Sequence, residues 1–399
     1  MNPVLSLALL LAAGLAATHL SLPRLRHRLS LHVGVAGGAL LVLAGLLLGP
    51  GIGVLDPTAL RALAPVTALA IGWIGAGFGA HLEWRFVRRI PRRVWGLAAL
   101  QAGVILLVTV LTAWLLARAV PALATAWRPR LPALLTLAAA AIVSGPAAVA
   151  LVARTVGARR SLARAFARAA VLDTVLGGLV FALALALYHP RQPFAGGGVA
   201  LAWAYWVAIA VASSGGVGVL FLWLSRLRTD TSALGLDLLG VILCGAGLGY
   251  AAEVSPFVVC ALATALIVNL SPHRRRVQAL LAAWDPPIYA VFLILAGALV
   301  DLRTAWLLPA ALLLAVIRVA TRWVAVRYLR PSVGLATVAQ GGVALAIALS
   351  FTLIYSGSSA RGGGGGSVFT TVLIAAALAQ VFAARAMALA LRPAPVEVR

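Results

Sequence analysis

Ala141-Ile142-Val143-Ser144-Gly145-Pro146 stands in the middle of an apolar run, residues 131–152, that is otherwise long enough to cross a bilayer. Pro146 removes a helical N–H and Gly145 loosens the backbone, so the helix is expected to unwind there at mid-depth. In hydrocarbon, unwound backbone survives only where it lines a cavity or is wrapped by protein. A second run, 333–355, is interrupted in the same way by Ala339-Gln340-Gly341-Gly342. Paired interruptions at matching positions of two halves point to a transporter built from inverted repeats. The alternative is that these small residues only let neighbouring helices pack closely.

The composition fits such a fold. Of 399 residues, 63% are hydrophobic and 10% charged, which is far too apolar for a soluble domain. The net charge of +23 is carried by Arg without any Lys, in short clusters between apolar runs. Such clusters read as loops that fix orientation in a membrane, and no basic domain or stacking motif suggests nucleic acid. Cys244 and Cys260 fall inside apolar runs as small hydrophobic residues. The histidines have no metal-ligand spacing, and no nucleophile elbow, catalytic carboxylate pair or Walker loop is present. The reading is therefore of a protein that is not an enzyme and needs no metal or cofactor.

Borders at Arg, Pro and Trp mark about thirteen spans. They cover 2–20, 31–48, 60–80, 94–117, 131–152, 162–188, 198–224, 233–252, 256–270, 287–300, 305–326, 333–355 and 367–391, the ninth and tenth being short for a full crossing. Arg concentrates after odd-numbered spans, which places the N-terminus outside and the C-terminus in the cytoplasm. Spans one to six and eight to thirteen form two six-helix units offset by seven, and an odd offset inverts the second. The chain thus reads as one all-α transmembrane domain. Residues 1–188 are the first repeat, 189–230 a linking helix, 231–392 the inverted second repeat and 393–399 a short cytoplasmic tail. The glycine-rich stretch 357–367 reads as an external flexible connector.

Asp173, in Ala169-Ala170-Val171-Leu172-Asp173-Thr174-Val175-Leu176-Gly177-Gly178, reads as the only acid deep inside a span. A charge at that depth costs several kcal/mol, so such a residue normally faces a cavity and carries a proton or an ion. The alternative is a carboxylate neutralised by Arg for packing alone. Arg318 and Arg322 lie one turn apart on span eleven, and Asp173 is the candidate partner of a buried cation there. For Arg322 the alternative is snorkelling to the interface beside Arg327. The Ser144 and Thr174 hydroxyls, the Gln340 amide oxygen and carbonyls freed at the breaks would complete an ion site around Asp173. Asp237 and Glu253 read as interfacial, and His81 and Glu83 as the solvated end of span three.

These residues resemble the monovalent cation:proton antiporters of the Kef and Nha kind. Leu43 to Gly51 is similar to that family's second-span signature, and Ser144-Gly145-Pro146 to its unwound fifth span. Ala290 to Asp301 resembles its tenth span, and Arg318-Val319-Ala320-Thr321-Arg322 its Arg-bearing eleventh. Asp173-Thr174 falls where the family carries a pair ending in Asp. On that register Thr174 replaces the usual second acid, whereas a one-residue shift restores an ordinary pair as Leu172-Asp173. The resemblance implies a bacterial inner-membrane homodimer exchanging Na⁺ or K⁺ for H⁺ by alternating access, and the single acid predicts one proton per cation and so electroneutral exchange. An organic anion or bicarbonate carrier on the same scaffold, or a non-transporting sensor or assembly subunit, are the other readings.

Overall fold

The computed structural model describes residue 12 and residues 33–51, 57–88, 90, 92–191, 199–227, 231–329, 337–356 and 365–390. The first span therefore lies outside the described residues apart from Ala12, as do most of the glycine-rich connector and the C-terminal tail. The main helices are α1 (Val33–Leu46), α2 (Ala64–Gly79), α3 (Arg92–Ala119), α4 (Arg130–Ile142), α5 (Pro146–Thr155), α6 (Arg160–Leu187) and α7 (Val199–Leu227). They continue as α8 (Thr231–Ala251), α9 (Pro256–Leu270), α10 (Arg274–Ala298), α11 (Leu307–Leu329), α12 (Gly342–Ser356) and α13 (Gly365–Ala390). Eight segments are long and apolar enough to cross a membrane, α4 and α5 counting as one, and four shorter apolar helices accompany them. Together they match the second to thirteenth spans one for one. The protein is an integral membrane protein.

Burial sorts these helices. Only 17% of the most apolar stretch of α3 and 22% of that of α7 are buried, against 61% for the α4–α5 segment. Leu107, Leu111 and Trp114 on α3, and Val211, Val219 and Trp223 on α7, are exposed, as expected of faces that meet lipid rather than water. The largest core runs through α2, α4, α12 and α13, with Ala139, Ala140, Ala344, Ala346, Ile347 and Phe369 almost fully buried. Small side chains there let the two broken segments approach each other.

The inverted repeat is visible in the packing. α1 lies against α10 and α9 against α2. Moving the second span forward by seven gives the ninth, and moving the tenth back by seven gives the third, so exchanging the repeats turns the first pair into the second. Both contacts are made backbone to backbone. A Cβ on Gly75 or Gly79 would lie 2.3 or 2.2 Å from the carbonyl oxygens of Phe257 and Ala261. A Cβ on Gly45 would meet the Ile294 carbonyl at 1.9 Å. In lipid, where water does not drive helices together, such close approach supplies van der Waals attraction in its place.

One boundary differs from the sequence reading. The tenth span does not begin at Pro287, because α10 is a single helix of 25 residues that continues through Pro286 and Pro287. Pro cannot donate, but neighbouring helices in a membrane protein hold such a helix together. Two consequences follow. The tenth span is long enough to cross, and Asp285 lies within it, so Asp173 is not the only acid in the middle of a span.

Candidate functional site

Both interrupted spans unwind where expected. α4 ends at Ile142 and α5 restarts at Pro146, with Gly145 extended between them. In the second repeat, 338–341 is non-helical before α12 begins. The two stretches cross and touch. The Gly145 N–H donates to the Ala339 carbonyl at 3.1 Å, and a Cβ on Gly145 would lie 2.5 Å from the Gly341 nitrogen.

An unwound helix leaves its last carbonyls without partners and the negative end of its dipole exposed. Here side chains from the second repeat occupy them. Gln340 Nε2 donates to the Ala140 carbonyl at 2.7 Å, and Arg322 Nη2 donates to Ile142 at 2.7 Å. Arg318 donates through Nη1 to Ala141, and through Nη2 to Val143 at 2.9 Å and Val338 at 3.2 Å. Two guanidinium groups, 2% and 0% exposed, are thus tolerated because they meet the carbonyl end of α4. Arg322 therefore does not snorkel. Arg318 points to backbone oxygens, not to Asp173.

Asp173 projects from the middle of α6 into the same crossing and is 4% exposed. Its Oδ2 accepts from Arg322 Nη1 at 2.9 Å and from Ser144 Oγ at 2.9 Å. The Ser144 hydroxyl also lies 2.7 Å from the Thr337 carbonyl. With one proton, it donates to one of these acceptors at a time. If the carboxyl gains a proton, that O–H can donate to Ser144 Oγ, and the serine proton then turns to Thr337. The site therefore contains a hydrogen-bond chain whose direction follows the state of Asp173.

The remaining residues group differently. Thr174 turns away from the carboxylate, its hydroxyl lying 2.5 Å from the Ser144 carbonyl and 2.8 Å from that of Ala170, either of which can take its one proton. The Gln340 amide oxygen and Arg318 Nε are buried without hydrogen-bond partners. Both residues line a cavity of about 20 Å³, with Thr109 and Thr371 among the other walls, which is room for about one water. Ser144, Asp173 and Arg322 thus form one cluster, and Arg318 and Gln340 a second one beside it. Thr337, whose hydroxyl accepts from Arg322 Nη1, joins the first cluster and was missed in the sequence. Its position three residues before Gln340, ahead of a break, was the available signal. Among the described residues, no group of three or more His, Cys, Asp or Glu side chains could hold a metal ion.

No family model matches the chain, and no curated protein matches it in sequence. Among solved structures it is similar to the sodium proton antiporter MjNhaP1 from Methanocaldococcus jannaschii. The two share 13% identity over 98% of this chain and 99% of that one, with a TM-score of 0.70. The chain therefore has the sodium/proton antiporter fold, with two inverted repeats and two broken helices that cross at a buried carboxylate.

Proposed function

We propose that this protein is a secondary transporter exchanging a monovalent cation, Na⁺ or K⁺, for H⁺, with Asp173 as the group that carries either. The observation behind this reading is a single buried carboxylate at the crossing of two unwound helices, hydrogen-bonded to Ser144 and ion-paired with Arg322. Three positive charges compete for it. The proton binds the carboxyl and redirects Ser144. The cation takes the carboxylate with the Ser144 hydroxyl and nearby carbonyls as further oxygen ligands. Arg322 holds the carboxylate between these events, so the buried carboxylate is never left unpaired, while the Ile142 carbonyl and Thr337 hydroxyl keep the guanidinium hydrogen-bonded. Thr174 and Gln340 shape the two backbone breaks around it. One carboxylate admits one proton per cation, and the exchange is electroneutral. The Arg-rich end of the bundle faces the cytoplasm, with the C-terminus on that side.

Arg318 favours this reading over an anion carrier. Both of its terminal nitrogens donate to backbone carbonyls, so they are committed to the fold. The test is dissipation of a pH gradient in proteoliposomes on adding Na⁺, K⁺ or Li⁺. Wild type is expected to respond to at least one of them, and Asp173→Asn to none. A response that survives in Asp173→Asn contradicts the reading, and a silent wild type favours a non-transporting role.

A further inference from the structure

A second carboxylate, Asp285, lies on α10 between its Arg-rich end and Tyr289. This helix runs antiparallel to α2, and their contacts fix the register. Arg274 pairs with Glu83 at 2.6 Å, Gln278 Nε2 donates to the Ala80 carbonyl at 3.0 Å, and Trp284 stacks on Trp73 at 6.3 Å. Further along, a Cβ on Gly342 would lie 2.6 Å from Tyr289 Cε2 and 3.2 Å from Ile74 Cδ1. Tyr289 therefore stands at the first residue of α12, directly after the break. Asp285 lies one turn before it, on the Arg-rich side.

Helical periodicity decides which way Asp285 faces. At 3.6 residues per turn, its side of α10 is shared with Gln278, Leu281, Tyr289, Phe292 and Ala296. Leu281, Phe292 and Ala296 are 4%, 0% and 0% exposed, while Gln278 and Tyr289 contact α2 and the start of α12. That face is turned into the protein, yet Asp285 itself is exposed. Asp285 interacts with Trp73 on α2 and with His81 just beyond its end, so the carboxylate is turned toward α2 and not only toward lipid tails. Pro286 and Pro287 have no N–H to offer the carbonyls of Ala282 and Ala283, so the same turn carries two more oxygen acceptors. Trp73, on the facing helix, turns its buried Nε1–H toward this carboxylate, so the acid is oriented by a donor from α2.

We infer that Asp285 is an entry station for the transported cation, held in a vestibule between α2 and α10 before the ion passes Tyr289 to Asp173. A carboxylate backed by carbonyl oxygens suits a hard monovalent cation, and placed at a narrowing path it raises the local cation concentration. Asp285 gives up the ion at the crossing and leaves the stoichiometry to Asp173. This assignment rests on the cation/proton exchange proposed above.

The test measures exchange against Na⁺, K⁺ and Li⁺ concentration in vesicles of both orientations, for wild type, Asp285→Asn and Asp285→Glu. Asp285→Asn is expected to raise KM about five- to tenfold when cation is offered at the Arg-rich end. At the other end KM and Vmax stay within about twofold of wild type, and Asp285→Glu restores the first value. A merely structural role would alter both orientations alike or lower Vmax. An unchanged KM at the Arg-rich end, or an equal change at both ends, overturns the entry station while leaving exchange at Asp173 standing. A wild type without exchange defeats the transport reading itself, and this inference with it. Should Asp285→Asn fail to fold, Asp285→Ser carries the same comparison.

Discussion

Two regions of this molecule bring the repeats together by opposite means. At the α2–α9 contact, Gly75 and Gly79 meet the backbone at Phe257 and Ala261 with no side chain between them. At the crossing, Asp173, Arg318 and Arg322 are buried and held by backbone oxygens and by one another. The first region is held chiefly by close backbone approach and carries no charged side chain between Gly75, Gly79 and their partners. The second is held by charge, and the contacts of Arg322 and Ser144 there depend on whether Asp173 is ionised. A transporter needs both, a seam that stays fixed and a seam that responds.

Substitutions can set the two against each other. The largest effect is expected for Arg322→Met, which leaves Asp173 buried without its counter-charge and costs about 3–5 kcal/mol. Thermal unfolding in detergent should show that loss. The double variant Asp173→Asn with Arg322→Met should recover most of the stability but no exchange, which separates folding from function at the crossing. If the double variant is as unstable as the single one, charge is not what holds this seam.

Gly79→Val tests the other seam. Its side chain would run into the Ala261 carbonyl, which is backbone and cannot swing aside, at a cost of about 1–3 kcal/mol or more. The folded fraction should exchange with an unaltered cation KM, because nothing at Asp173 has changed. A shifted KM would mean that the seams are coupled.

The smallest effect concerns His189, beyond the end of α6, which stacks on Trp206 at 3.4 Å. Burial pushes its pKa below the ordinary 6.5, against hydrogen bonds to the Glu253 and Arg191 carbonyls that act to raise it. A base depressed in the fold is protonated first in the unfolded chain. Its contribution is therefore full above 6.5 and is lost as pH falls below that value. His189→Phe should flatten the fall in thermal stability between about pH 7 and 5. An identical slope in wild type and variant would assign the acid sensitivity elsewhere.

Much of the fold was legible in the sequence because a bilayer permits few solutions. Long apolar runs, Arg at alternate borders and two mid-span interruptions already imply inverted repeats with crossing breaks. The failure came at Pro286-Pro287, where a local rule about proline was overridden by packing from neighbouring helices, and Asp285 was left outside its span as a result. The site was legible in its residue types but not in its pairings. Arg318 and Arg322 lie one turn apart and looked interchangeable. Yet Arg322 reaches Asp173 while Arg318 reaches the carbonyls of Ala141 and Val143, from segments far away in the chain. Thr337 carries no charge and lies outside the break motif, so only its nearness to the break marked it.

The central claim is that a proton and a metal ion exclude each other at one carboxylate. It is tested most directly by the cation dependence of exchange at a series of pH values in proteoliposomes. Simple competition predicts that KM for the cation is flat at alkaline pH and, once protons occupy the carboxyl, rises toward about tenfold for each further unit of acidification, while Vmax stays constant. A Vmax that falls with acid at constant KM would place the two ions on separate sites and contradict the account.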